Sequence, residues 1–280
     1  MLAPVMNEWS YVLNSVADGT QPSTTFGTSV TPATNSFGSY AQLVAGASVT
    51  YDLWELDIVV HGLSASGVAR NAVVRLGIDP AGGTSYTTVA DLLVGPAGSI
   101  TAGGVRFTFP YAVKAGSSIG IAGSVNSGTL TAFRAFCTGR GMPSHPESIR
   151  AGAYIDAFGV TLASSSGTAV TPGTAAEGSW TEIGTLTRTC WHWNFGIGVN
   201  DSTMTALTML VDIGIGDASN KKIVISNAWT SSNTAEEVYK GFAHSCGYGL
   251  GVSGDKVYAR IQASTTPDSN VSIACYGTGG

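Results

Sequence analysis

Gly116-Ser117-Ser118-Ile119-Gly120 fits the Gly-x-Ser-x-Gly pattern of a nucleophile elbow. An elbow serine needs a strand, a sharp turn and then a helix that presents it. The residues that follow, Ile121-Ala122-Gly123-Ser124-Val125-Asn126, read as strand and turn, so the spacing predicts a hairpin turn instead. Four histidines, His61, His145, His192 and His244, are scattered without HExxH or any other ligand spacing, and surface positions are expected for them. Asp201, Asp212 and Asp217 are the acids that lie near one another, and their spacing fits no calcium loop. Gly214-Ile215-Gly216 and Gly247-Tyr248-Gly249-Leu250-Gly251 do not open a helix after a strand, which argues against a phosphate cradle. Such glycines mark bulges or close sheet contacts. Nucleophile, base and oxyanion donor therefore converge nowhere in the sequence. The expectation is no catalytic residue, no cofactor, no metal and no enzymatic activity.

The elements that would carry any site are read twice. Residues 26–40, FGTSVTPATNSFGSY, and residues 166–180, SGTAVTPGTAAEGSW, align at a constant offset of 140. Trp54, Leu56, Ile58 and Val60 match Trp193, Phe195, Ile197 and Val199, and Cys137 matches Cys275. A duplication this long predicts two domains of one fold, since solenoid repeats run about 20 to 50 residues. Period-two alternation dominates. Trp191, Trp193, Phe195, Ile197 and Val199 are apolar, with His192, Asn194, Gly196 and Gly198 between them, which predicts a strand with one buried face. Further strands are expected at 73–78, 87–93, 105–109, 118–125 and 130–137, then at 207–215, 222–226, 238–244, 256–263 and 271–276, with turn residues between them.

The expected fold class is all-β: two tandem, homologous β-sandwich (jelly-roll-like) domains with an N-terminal arm and an extended connector. The expected division is an arm over 1–25, a first domain over 26–140, a connector over 141–165 and a second domain over 166–280. Residues 5–18 are expected to form one short helix. Tyr154 to Leu162 reads as a strand or as an arm laid on a neighbour.

Charged residues are 11% of the chain and net charge is −5, with 13 Lys plus Arg and no basic cluster. Nucleic-acid binding by counterion release has no footprint in such a chain. No apolar run approaches the ~18 residues of a spanning helix, so no membrane partner is expected. The N-terminus, MLAPVMNEWSYVL, lacks a positive n-region, and Glu8 interrupts it, which predicts no signal peptide and a cytoplasmic origin. Cys137, Cys190, Cys246 and Cys275 then read as free, buried, small apolar residues, with a disulfide among the last three left open. Mean hydropathy is positive. Two accounts of that stand: many alanines and glycines, or a surface covered by neighbours in an assembly.

Gly178-Ser179-Trp180-Thr181-Glu182-Ile183, the strand ending Val211-Asp212-Ile213-Gly214-Ile215-Gly216 and the stretch from Gly254 to Ser264 give a pattern. It resembles small β-domains in structural proteins of tailed bacteriophages. The resemblance implies a non-enzymatic virion protein, first of all a capsid decoration or cement protein that bridges and stabilises capsid subunits. The alternative it implies is a tail- or fibre-associated receptor- or carbohydrate-binding protein, for which Trp229, Tyr239 and Tyr248 are candidate aromatics. Implied partners are the major capsid protein and copies of the chain itself, a trimer being one arrangement allowed. The implied location is the virion, assembled in the host bacterial cytoplasm. On this reading Trp9, Tyr11, Tyr154 and Phe158 are the candidate assembly-interface residues.

Overall fold

The computed structural model describes residues 11–14, 26–63, 71–95, 104–126, 130, 132–141, 151–199, 208–232, 238–240, 246–265 and 271–280. Strands of the first half are β1 (Tyr11–Asn14), β2 (Thr28–Val30), β3 (Ala33–Thr34), β4 (Ala41–Val44), β5 (Leu53–His61), β6 (Ala72–Asp79), β7 (Thr87–Val94), β8 (Val105–Phe109), β9 (Ser118–Val125) and β10 (Phe133–Gly141). The second half has β11 (Tyr154–Phe158), β12 (Thr168–Val170), β13 (Gly173–Thr174), β14 (Thr181–Thr185), β15 (Cys190–Val199), β16 (Thr208–Gly216), β17 (Lys221–Ser232), β18 (Val238–Lys240), β19 (Cys246–Gly251), β20 (Lys256–Ala263) and β21 (Val271–Gly279).

Each half is a two-sheet sandwich. In the first, a front sheet runs β1-β10-β5-β8 with β2 also on β10, and a back sheet runs β3-β9-β6-β7 with β4 also on β9. The second repeats this as β11-β21-β15-β19 with β12 on β21, and β13-β20-β16-β17-β18 with β14 on β20. Even the short parallel pairing recurs, β3 on β9 and β13 on β20. The all-β, double-sandwich expectation holds, and the second half repeats the first strand for strand, with β18 as its one addition among the described residues.

Alternation drives the assembly. Leu56, Ile58 and Val60 of β5 point inward with Phe107 and Phe109 of β8, Leu76 of β6 and Ile121 of β9, all fully buried. Trp193, Phe195, Ile213 and Ile261 play that part in the second core. Each fully buried side chain of this size contributes about 1.5–3 kcal/mol.

The two sandwiches are packed together. Ile155, Ala274 and Tyr276 of the second half belong to the first half's core cluster. The outer face of the second front sheet, expected to be polar and open, is buried: His192 and Asn194 are 1% exposed. Gly196 and Gly198 explain how. A Cβ on Gly196 would strike the Leu93 carbonyl, and one on Gly198 would strike Asn71. The Tyr276 hydroxyl accepts from the Leu93 N–H across the seam. Edge strand β7 thus lies directly on the bare backbone of β15.

Two expectations are corrected, the helix over 5–18 and the burial of Cys246, and of the two readings of Tyr154 to Leu162 the strand is the one seen. The helix over 5–18 is not formed where it can be seen, because Tyr11–Asn14 pairs antiparallel with β10, from Tyr11↔Gly141 to Asn14↔Thr138. The Tyr154–Phe158 stretch of the expected connector is a strand of the second half's own sheet, paired with β21. It occupies the place that β1 holds in the first half. Cys246 is exposed, while Cys137, Cys190 and Cys275 are buried. Burial pushes the Cys190 thiol up to about 12, so it stays a neutral packing group.

Candidate functional site

Glu55 and Asp57 sit two residues apart on the outward face of β5. Side chains at such positions share one face, with Cα atoms roughly 7 Å apart. Register brings cations to them from both sides. Arg140 of β10 lies opposite Glu55, and its Nη1 is 3.0 Å from Glu55 Oε1. Arg106 of β8, two residues before the Thr108 that faces Asp57, donates to Asp57 Oδ2. Thr108 donates to Asp57 Oδ1, and Thr138 donates to Oδ2 over 3.3 Å. Asp57 is therefore a fully engaged carboxylate, 3% exposed.

The two acids differ in what their surroundings do. Burial pushes the Glu55 carboxyl above the usual range; the Arg140 charge opposes this, and the Asp57 charge adds to the rise. That combination is a pattern of catalytic acids. On Arg106, the Asp57 hydrogen bond holds the guanidinium even more firmly protonated than usual.

The second half closes one side. Asn194 Nδ2 donates to the Thr108 carbonyl over 3.3 Å, so β15 touches the strand that anchors Asp57. One alternation further along β15, His192 pairs across the sheet with Tyr248 of β19, ring centroids 5.2 Å apart. The Tyr248 phenol is pushed up by burial first, then by Cys246 and by the charge of Glu55. The anchored Asp57 thus lies on a strand whose neighbour β8 touches β15 at the seam, and the His192–Tyr248 pair sits two residues further along β15. Among the described residues no group of histidine, cysteine and acid side chains is arranged to hold a metal ion.

Other expected sites resolve differently. Ser118 of the Gly-x-Ser-x-Gly stretch opens β9 and is buried, its hydroxyl donating to the Gly83 carbonyl. It is a turn-and-strand residue, as expected. His61 and His192 are buried, not on the surface. The His61 Nε2–H donates to the Phe26 carbonyl at 2.9 Å, and burial lowers its affinity for a proton. Asp212 is not solvated: it takes Arg260 Nε at 2.9 Å and is buried on the second back sheet. Trp9 lies outside the described residues, as does the side chain of Tyr11. Tyr154 lies under the Arg188 guanidinium, 3.6 Å from ring centroid to Cζ. Phe158 is in the second core beside Trp193. Trp229 is 49% exposed and Tyr248 71%, whereas the side chain of Tyr239 is not described. A cavity of about 300 Å³ lined by Ala175, Thr208, Leu210, Gln262, Ala263 and Ser264 holds no titratable group.

Sequence reading missed Glu55 and Asp57. The signal was present as Trp54-Glu55-Leu56-Asp57-Ile58, two acids on the non-core parity of a strand. Their arginines come from about 50 and 85 residues away, a pairing that only the sheet register supplies.

No family profile matches the sequence, and no curated protein does. Among solved structures, PNGase F, a glycosylasparaginase from Flavobacterium meningosepticum, is 10% identical, with 96% of each chain covered and a TM-score of 0.39. The CBM22-1–CBM22-2 tandem domain of Paenibacillus barcinonensis Xyn10C is 15% identical over 99% of this chain and 94% of its own, TM-score 0.25. The infectious bursal disease virus VP2 subviral particle is 11% identical over 84% and 58%, TM-score 0.22. Viral capsid proteins are thus among the distant neighbours, but nothing ties the chain to bacteriophage proteins. The expectation of a non-enzymatic virion protein, decoration or tail-associated, is corrected. Two amidase structures each align over 96% of this chain and 96% of their own, at 10% and 11% identity and TM-scores of 0.39 and 0.37.

Proposed function

We propose that this chain is a hydrolase that cleaves an amide bond at the seam between its two sandwiches, with Glu55 as the proton-transfer group. The observation that carries the reading is the pair Glu55 and Asp57 on one face of β5, bracketed by Arg140 and Arg106. Each has a distinct part. Glu55 accepts a proton from water as the water oxygen bonds to the amide carbon. It passes that proton to the nitrogen as the C–N bond breaks, leaving acid and amine products with atoms balanced. Arg140, whose side chain is half-exposed, faces the developing oxyanion. Asp57, with both oxygens occupied, positions Arg106 and raises the proton affinity of Glu55.

The test is turnover of asparagine-linked glycopeptides and simple peptide amides, followed by mass spectrometry. The glycan–asparagine amide is included because that is the bond named for the peptide-N-glycosidase amidase. Loss of one proton-transfer group is worth about 10²–10⁴ in rate, so Glu55→Gln is expected to abolish turnover while Tm stays close to that of the parent. Turnover of none of these amides by the parent protein, or full activity in Glu55→Gln, overturns the reading.

A further inference from the structure

Strand β19 is built inside out. Its inward positions are Gly247, Gly249 and Gly251, and its outward positions are Cys246, Tyr248 and Leu250, all exposed. A Cβ on Gly247 would collide with the Val224 carbonyl of β17, and one on Gly249 would press on Val224. One on Gly251 would lie 2.9 Å from Ile215 and from Leu186. The glycines let backbone close the sandwich directly, so the core gains nothing from the side chains of this strand. Those side chains face away from the core. Tyr248 is 71% exposed, Leu250 57% and Val252, just after the strand, 46%. Large apolar groups held in water on a strand are costly unless something covers them.

The ring of Tyr248 is held in place. It lies near-parallel to Trp191, with centroids 6.3 Å apart and planes 12° apart, and His192 meets it edge-on. The Trp193 indole N–H donates to the Gly249 carbonyl at 2.7 Å, fixing the strand from beneath. An oriented aromatic face, with an aliphatic step beside it, matches one face of a sugar ring. The pyranose C–H groups lie on the aromatic, and the rim hydroxyls find polar partners. The ledge borders the acids, since Asn194, two residues along β15 from His192, donates to the carbonyl of Thr108, the residue that faces Asp57.

We propose that Trp191, Tyr248 and Leu250 form a saccharide subsite, on which the substrate of the Glu55 site places a pyranose ring. The inference rests on the hydrolase reading only for the word substrate; the binding stands by itself. The probes are soluble tri- to hexasaccharides of glucose, mannose and N-acetylglucosamine, titrated by calorimetry and by indole fluorescence, the Trp191 part of the signal being the part lost in Trp191→Phe. Binding of at least one series by Glu55→Gln protein is expected at the parent affinity. Tyr248→Ala is expected to weaken it at least tenfold and Leu250→Ala several-fold, both with unchanged Tm because neither side chain is in the core. Trp229→Ala, an exposed aromatic on a different strand, is expected to bind normally. Absence of binding by every series, or normal binding by Tyr248→Ala, overturns the subsite. Saccharide binding without amide turnover sinks the hydrolase reading and leaves the subsite standing. Turnover whose KM is indifferent to Tyr248→Ala does the reverse.

Discussion

Asp57 and Asn194 occupy the same place in two copies of one strand, as do Glu55 and His192, and Val59 and Gly196. The inward residues stay apolar in both copies: Leu56, Ile58 and Val60 against Trp193, Phe195 and Ile197. The outward residues have diverged. In the first copy two of them are acids that gather arginines; in the second they are an imidazole, an amide and a glycine, and the other sandwich lies on the last two. The partner strand diverges in step. Thr138, which bonds Asp57, corresponds to Tyr276, which reaches the Leu93 N–H. One copy of the face became a dock and the other kept charge at the edge of that dock. The inward face is held by the core, so the outward face is where duplicated units acquire different tasks.

The largest test of this comparison is to put a charged side chain on the bare backbone of the second copy. Gly196→Asp would drive a carboxylate into the Leu93 carbonyl and the Tyr276 hydroxyl. A loss of about 4 kcal/mol is expected in denaturant unfolding, because overpacking and an unpaired buried charge act together. A loss below about 1 kcal/mol would mean that the sandwiches are not docked through β15. Next is Tyr276→Phe, which leaves the Leu93 N–H without its partner. Its expected cost is about 1–3 kcal/mol.

In the first copy, Asp57→Asn removes the anion that engages Arg106, Thr108 and Thr138. Since the Arg106 side chain is 39% exposed, water takes over part of its solvation. The expected cost is about 1 kcal/mol. The change also removes a charge that raises the Glu55 pKa, so the acid limb of any pH–rate profile should move to lower pH.

The smallest effect is on stability against pH. The folded-state pKa of Glu55 is raised, so its contribution favours folding below the unfolded carboxylate value and is lost as pH rises through the folded value. Glu55→Gln should therefore gain up to about 2 °C in Tm at pH 7 relative to the parent, and the gain should vanish below about pH 4. Asp52 has the opposite sign. Its pKa is lowered chiefly by the Lys114 hydrogen bond, then by the Ala115 N–H, so Asp52→Asn should lose stability at pH 7 and match the parent in acid.

The duplication made the fold legible. Trp54 to Val60 and Trp193 to Val199 announced the same strand twice, and the sheets repeat, but the pairing moves the match by two residues and sets Leu56 against Trp193. The dock was not legible, because Gly196 and Gly198 carry no sign of what lies on them. Helical expectation at 5–18 lost to pairing with β10, since tertiary partners override weak local pattern. Cys246–Gly251 was read as bulges or close contacts; the contact is real, but the glycines form a full strand. The acids were visible as letters. Their chemistry was not, because it depends on Arg106 and Arg140 arriving from neighbouring strands.

An inverted ribbon such as β19 separates invention from integrity. Its decorations can be exchanged one by one while the closure beneath, made of main chain on main chain, goes on undisturbed. A lineage carrying it can retune what it grips faster than it can lose its shape.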